Sequence, residues 1–189
     1  MPEVNVINID FPFLDQKPGT SGLRKSTLKF QEKHYLEIFI EAILQSLEDL
    51  QGSTLVVGGD GRYGNIEAIE KIVQICIAHK VQKVIVPKFG LLSTPATSHL
   101  IRKENAIGGI ILSASHNPGG IDGDFGVKLN ISNGGPAPEM ITNKIFKSSQ
   151  LLTSYKVCKI QIPDFSEYGT YIYDETTLEV IDGLEDYSN

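Results

Sequence analysis

Tryptophan is absent from this 189-residue chain, and cysteine and methionine occur only twice each. Two cysteines, Cys76 and Cys158, cannot staple a fold as disulfides staple small secreted domains, and they show no metal-ligand spacing. Cys76 falls on an apolar helical stripe, which predicts a core thiol in a reducing compartment. Long apolar runs are also missing. The longest, Ile107 to Leu112, is far below the ~20 residues a membrane helix needs. The chain opens Met-Pro-Glu-Val-Asn, without the basic start and apolar centre of a secretory leader. A cytoplasmic protein with no membrane partner is therefore expected, and the glycosylation pattern Asn130-Ile131-Ser132 is discounted. Positive charge is in short supply as well: 17 Lys+Arg stand against 23 Asp+Glu, a net charge of −6. Without a basic stripe, nucleic acid is not an expected partner.

What the sequence does have is a repeated alternation of short buried strands and amphipathic helices. At 41% hydrophobic, its length suits one domain that buries roughly 70% of its unfolded surface. Val4 to Phe13 alternates like a strand, and a loop at Lys17–Lys25 leads toward a strand around Leu28. Tyr35, Ile38, Phe39, Ala42, Ile43, Leu47 and Leu50 repeat at helical spacing with Glu37, Glu41, Glu48 and Asp49 opposite. This predicts an amphipathic helix over about 33–50, stopped by Gly52. Thr54–Val57, Lys83–Val86 and Ile107–Leu112 read as buried strands. Between them lie a helical stripe on Ile66, Ile69, Val73, Cys76 and Ile77, and a helix opened by Ser93-Thr94-Pro95 and running to Glu104. The order strand, helix, strand, helix, strand predicts a three-layer α/β/α fold with a mixed, largely parallel sheet. Val127–Ile131 reads as a returning strand and Glu139–Leu152 as a last helix. Beyond Thr153 periodicity fades and acids accumulate. Residues 170–189 are expected to be an exposed return segment and the start of a linker.

The third strand runs into Ser113-Ala114-Ser115-His116-Asn117-Pro118-Gly119-Gly120. Its Ser, Asn, Pro and Gly favour turns for separate physical reasons, so on composition alone a plain turn and a site compete evenly. In open α/β sheets, however, ligands collect beyond the carboxyl ends of strands. A hydrolytic serine would sit in G-x-S-x-G with a downstream acid–histidine pair, and neither is present. Ser115 and His116 are neighbours whose side chains are expected to point apart. Gly59–Gly64 formally matches the dinucleotide fingerprint, but Asp60 would put a carboxylate against the pyrophosphate, and no acid follows at the ribose offset. Asp122 and Asp124 lack the third acid of a calcium loop, because Gly126 stands there.

SASHNPGG (Ser113–Gly120) resembles the active-site serine loop of the α-D-phosphohexomutases, usually TASHNPGG. In the same order, KPGTSGLRK (Lys17–Lys25), LVVGGDGR (Leu55–Arg62), LSTPA (Leu92–Ala96), Ile101–Leu112 and GDFGVKLNISNGGPAP (Gly123–Pro138) resemble the phosphoglucomutase branch. The likeness spans about Lys17 to Lys147. It implies a phosphorylated Ser115 that converts glucose 1-phosphate to glucose 6-phosphate through glucose 1,6-bisphosphate. Ser115, His116 and Lys128 would be catalytic, with Lys128 moving a proton or neutralising charge. Thr20, Ser21, Arg24, Asn117 and Lys128 would bind substrate or phosphate, and Asp60 and Arg62 would brace the site. Mg²⁺ would meet Ser115 through its phosphate. Relatives of this kind have four domains, and the metal loop, Asp-x-Asp-x-Asp-Arg, and the sugar-selecting loop belong to the later three. No such aspartate triplet occurs here. The chain is therefore expected to be the first domain, inactive alone and partnered by sugar phosphates and the remaining domains. A competing expectation is a non-catalytic relative that acts as a scaffold.

Overall fold

Short β-branched and leucine-rich runs form the centre of the sheet because both of their faces can be buried. The computed structural model describes residues 1–183. It runs β1 (Val4–Asn8), β2 (Leu23–Ser26), α1 (Thr27–Phe30), α2 (Tyr35–Ser46), β3 (Thr54–Gly59), α3 (Asn65–Ala78), β4 (Lys83–Pro87), α4 (Thr94–Lys103), β5 (Gly108–Leu112), β6 (Asp124–Ile131), α5 (Glu139–Leu151), β7 (Ser154–Cys158), β8 (Gly169–Tyr173) and β9 (Thr176–Ile181). Seven strands form one mixed sheet in the order β2-β6-β5-β3-β4-β9-β8, and β1 pairs with β7 in a separate ribbon. The central strands β5, β3, β4 and β9 are mutually parallel. β6 and β2 on one side, and β8 on the other, join through antiparallel pairs.

Handedness decides which face each helix takes. β3-α3-β4 steps one way across the sheet, and β4-α4-β5 jumps back past β3 to its other side. Right-handed crossovers then require α3 and α4 on opposite faces. The packing agrees. Val56 and Ile85 meet Leu100 and Ile101 of α4 in one cluster, whereas Leu55, Val57, Ile110 and Leu112 join α2 and α3 in the larger core. Truncating a large side chain in that core, such as Phe39 or Ile72, would cost about 2–5 kcal/mol. α4 starts where Ser93 accepts a hydrogen bond from the Ala96 amide, with Pro95 in the first turn, and ends on Arg102 and Lys103. Those cations suit the negative end of the helix dipole.

Three expectations change. The amphipathic helix is shorter and has no solvated acidic face. α2 ends at Ser46, with Leu47 already extended. Glu41 is 3% exposed, because α3, α5 and β7 pack around α2. Its carboxylate takes His79 Nε2 at 2.8 Å and the Lys156 amide at 3.2 Å. The strand expected around Leu28 ends at Ser26, whose hydroxyl accepts from the Lys29 amide at 3.2 Å and turns Thr27–Phe30 into α1. Finally, residues 170–183 are not an exposed return segment. β9 lies inside the sheet beside β4, with Thr176, Leu178 and Val180 buried. Its acid Glu179 meets Lys83 of the neighbouring β4 at 2.6 Å, and Glu175, in the turn before β9, meets Lys80, in the turn after α3, at 2.8 Å. The rest of that expectation, 184–189, lies outside the described residues. Both cysteines are free and buried, and desolvation pushes the Cys76 thiol up to about 12.

Candidate active-site serine loop

The sheet order reverses at β3 and β5, whose carboxyl ends lie side by side with Gly59 opposite Leu112. Crevices at such reversals are where open α/β sheets bind ligands. Two loops leave this point. One carries Asp60 and Arg62, the other Ser113 to Gly123. They are tied at once by the Asp60 amide, which donates to the Leu112 carbonyl at 3.0 Å.

Ser115 is exposed and has φ 55, the left-handed region that costs a non-glycine residue roughly 1–2 kcal/mol. Its surroundings hold it there. The Ser115 amide donates to Ser113 Oγ at 3.0 Å, and Ser113 Oγ donates to Asp60 Oδ2 at 2.9 Å. Arg62 grips Asp60 with a two-pronged fork, Nε to Oδ1 at 3.0 Å and Nη2 to Oδ2 at 2.8 Å. The same guanidinium reaches the Ser115 carbonyl at 3.2 Å and the Asp124 carbonyl at 2.7 Å. Desolvation works against the charge on Asp60. The hydrogen bonds from Arg62 and Ser113 and the charge of Arg62 outweigh it, and hold this carboxyl below the usual range.

The left-handed residue also overturns the expectation that Ser115 and His116 point apart. Strand alternation is broken at Ser115, and its Oγ lies 3.5 Å from His116 Nδ1. That is too long for a strong hydrogen bond. Among the described residues no carboxylate pairs with His116, so no triad forms. Asn117 donates to Asp124 Oδ2 at 2.9 Å and Asp124 donates its amide to the Pro118 carbonyl at 2.8 Å, closing the loop onto β6.

The remaining cations come from β2 and β6. Arg24 stands opposite Gly126, and the Ser113 amide donates to the Gly126 carbonyl at 3.0 Å. A Cβ at Gly126 would collide with the Ser113 carbonyl and lie 3.3 Å from Arg24 Cγ. The missing side chain therefore lets Arg24 pass beneath the serine loop. Arg24 Nε is buried without a hydrogen-bond partner. Lys128 lies two residues further along β6, on the same face as Gly126. It makes no ion pair among the described residues. Gly19 and Gly22 exchange backbone hydrogen bonds at 3.1 and 3.0 Å, which places Thr20 and Ser21 at an exposed turn tip. Gly22, at φ +84, lets that turn sit against β6, where a Cβ would come within 2.8 Å of Lys128 Cα. The fold thus gathers Thr20, Ser21, Arg24 and Lys128 along one sheet edge beside the loop of Ser115, His116 and Asn117. Sequence reading did not single out Ser113 as a contributor. The signal was a hydroxyl two residues before the serine.

The described residues contain no group of three or more His, Cys, Asp or Glu side chains able to hold a metal. Near Ser115, Asp60 is committed to Arg62 and Ser113, and Asp124 to Asn117. These residues do not fit a Mg²⁺ cage. A cavity of about 300 Å³ lies elsewhere, walled by Phe30, Leu36, Tyr63 and Phe125; Ser115 sits on open surface instead. No helix among the described residues is long and apolar enough to cross a membrane.

Comparison with known proteins agrees with this architecture. Residues 15–156 match the alpha/beta/alpha domain I of phosphoglucomutase/phosphomannomutase. The chain is 52% identical to a phosphoglucomutase of Aspergillus fumigatus over 177 residues, which is 93% of this chain and 32% of the relative. It is 50% identical over 183 residues to phosphoglucomutase-1 of Oryctolagus cuniculus, covering 92% of this chain and 33% of the relative. The crystal structure of the exocytosis-sensitive phosphoprotein pp63/parafusin, a phosphoglucomutase from Paramecium in its open form, superposes with a TM-score of 0.93. The sequences there are 39% identical, covering 99% of this chain and 36% of that one. The chain thus spans about a third of the length of these relatives. With the family's domain I matching three-quarters of its residues and the serine loop at the reversal of its sheet, the chain belongs to the phosphoglucomutase/phosphomannomutase family.

Proposed function

We propose that this chain is the first domain of a phosphoglucomutase, with Ser115 as its phosphoryl carrier. One observation carries the reading: Ser115 is exposed on a left-handed turn at the carboxyl end of β5, beside a buried, unpartnered Arg24 donor. A hydrolase is disfavoured because no carboxylate among the described residues orients His116. A carrier needs only placement and cations that offset the spread charge of the transferring group.

In the forward direction the Ser115 Oγ–phosphorus bond breaks and an oxygen–phosphorus bond forms to the 6-hydroxyl of glucose 1-phosphate, whose proton leaves. The product is glucose 1,6-bisphosphate. After this intermediate turns over, its 1-phosphate passes to Ser115 Oγ and glucose 6-phosphate departs. Arg24 supplies the guanidinium fork toward the phosphate. Lys128 neutralises developing charge or carries the proton. His116, beside Oγ, and Asn117, locked to Asp124, hold the loop, while Thr20 and Ser21 offer hydroxyls from the neighbouring turn. The reading places the whole chain, 1–189, in that first domain, with the sugar-selecting and metal-holding groups outside it. Magnesium would be held mainly by those other groups, and no step here runs through it.

The test is a chimera in which this chain replaces the matching third of the A. fumigatus enzyme. Glucose 6-phosphate formation from glucose 1-phosphate is expected, and loss with Ser115→Ala. A soluble, folded chimera without turnover would overturn the proposal, as would comparable turnover by the isolated 189-residue chain.

A further inference from the structure

We propose that Ser113, Asp60 and Arg62 act as positioning residues that hold the Ser115 peptide in its left-handed conformation, so that its hydroxyl faces the incoming phosphate. The inference rests on Ser115 being the phosphoryl acceptor, and it assigns work to three residues that do not touch the transferred group.

Both ends of residue 115 are fixed by one ion pair. The amide is held through Ser113 Oγ to Asp60, and the carbonyl is held directly by Arg62. The Ser113 hydroxyl has a single proton, and that proton goes to Asp60. Its lone pair is therefore left for the Ser115 amide, and the direction of the relay is fixed. The pair is anchored in turn. The Asp60 amide bonds to the end of β5, and Arg62 Nη1 bonds to the start of β6. The Arg62 side chain is only 7% exposed, so its fork keeps little freedom to wander. The arrangement thus spans three strand ends, β3, β5 and β6, and delivers its restraint to one exposed residue.

The chemistry of the relay sets which substitutions survive. Threonine at 113 keeps the hydroxyl, whereas alanine removes it and leaves both the Ser115 amide and Asp60 Oδ2 short of a partner. Asparagine at 60 keeps an acceptor but loses the charge that Arg62 grips. Arginine 62 also cancels a carboxylate that would otherwise face a phosphorylated serine two hydrogen bonds away.

Two measurements test this. In the chimera described above, Ser113→Ala should lower kcat about 100-fold, the effect expected of a misplaced reacting atom. KM for glucose 1-phosphate should stay within about twofold, and Ser113→Thr should restore kcat. In the 189-residue chain alone, amide-exchange NMR should show the Ser115 N–H exchanging about tenfold faster in Ser113→Ala and unchanged in Ser113→Thr. A Ser113→Ala chimera that keeps its kcat overturns the proposal. So does an unchanged Ser115 amide in Ser113→Ala, whatever the chimera does. If the parental chimera proves inactive while the Ser115 amide still loosens in Ser113→Ala, the mutase reading falls and the conformational restraint stands.

Discussion

Two carboxylates held at the same distance, Glu41 by His79 and Asp60 by Arg62, each at 2.8 Å, end in opposite places. Glu41 is buried, and its carboxylate also takes the Gln45 side chain of its own helix and the Lys156 amide of β7, so its contacts stay inside the fold and tie α2 to α3 and β7. Asp60 is a third exposed, and its contacts run through Ser113 to an exposed, left-handed serine. The first network is closed on itself. The second ends at a residue open to solvent, near a sheet edge that carries the buried, unpartnered Arg24 Nε and Lys128, which makes no ion pair among the described residues. A polar network fully satisfied within the protein serves the fold, and one left open at a single point is free to serve a ligand.

Mutations should separate the two. The largest effect belongs to the open network. In the chimera, Ser115→Ala should abolish turnover by at least about 10³-fold while the melting temperature holds or rises. A residual rate near the parent's would mean the hydroxyl is not the carrier. Next, Lys128→Ala and Arg24→Ala should each cost about 10²–10³-fold in kcat/KM, read by initial rates, with unchanged circular dichroism. In the closed network, Glu41→Ala strands His79 and the Lys156 amide. It should lose about 2–3 kcal/mol of stability in urea titration, with turnover intact at temperatures where the chimera stays folded.

Acid should affect both networks. The Glu41 carboxyl is opposed by desolvation, yet its bonds to His79, Lys156 and Gln45 bring it below its ordinary 4.5. Its contribution is complete above that value and is lost as pH falls through the lower folded one. Asp60 has the same sign. Stability of the parent chain should therefore fall below about pH 4.5, and less steeply in Glu41→Gln. A slope that Glu41→Gln leaves unchanged would remove Glu41 from the account. The smallest effect is expected at the exposed Lys80–Glu175 pair, where Lys80→Ala should leave the urea curve where it is.

How much of this was legible in the sequence depends on how local the cause is. β3, α3, β4, α4 and β5 could be read directly, because periodicity and caps such as Ser93 are local. α2 was misjudged because its acids look solvated until α5 and β7, over a hundred residues later in the chain, are folded onto it. β9 is hidden in the sequence by its flanking acids, although Thr176, Leu178 and Val180 alternate at a strand's period; the lysines that meet those acids, Lys80 and Lys83, lie nearly a hundred residues earlier in the chain. At the site, the serine loop and the Arg24 and Lys128 motifs could be picked out by likeness. The left-handed Ser115 could not, because its conformation is imposed by Arg62 from 53 positions away.

That backbone geometry carries an evolutionary consequence. Threonine offers an equivalent hydroxyl, but its branched Cβ is poorly tolerated at positive φ. Position 115 therefore discriminates between two alcohols of nearly equal reactivity on shape alone. Glycine would relax the turn but has no oxygen to offer. The residue found there is the smallest that can both bend that way and offer a hydroxyl.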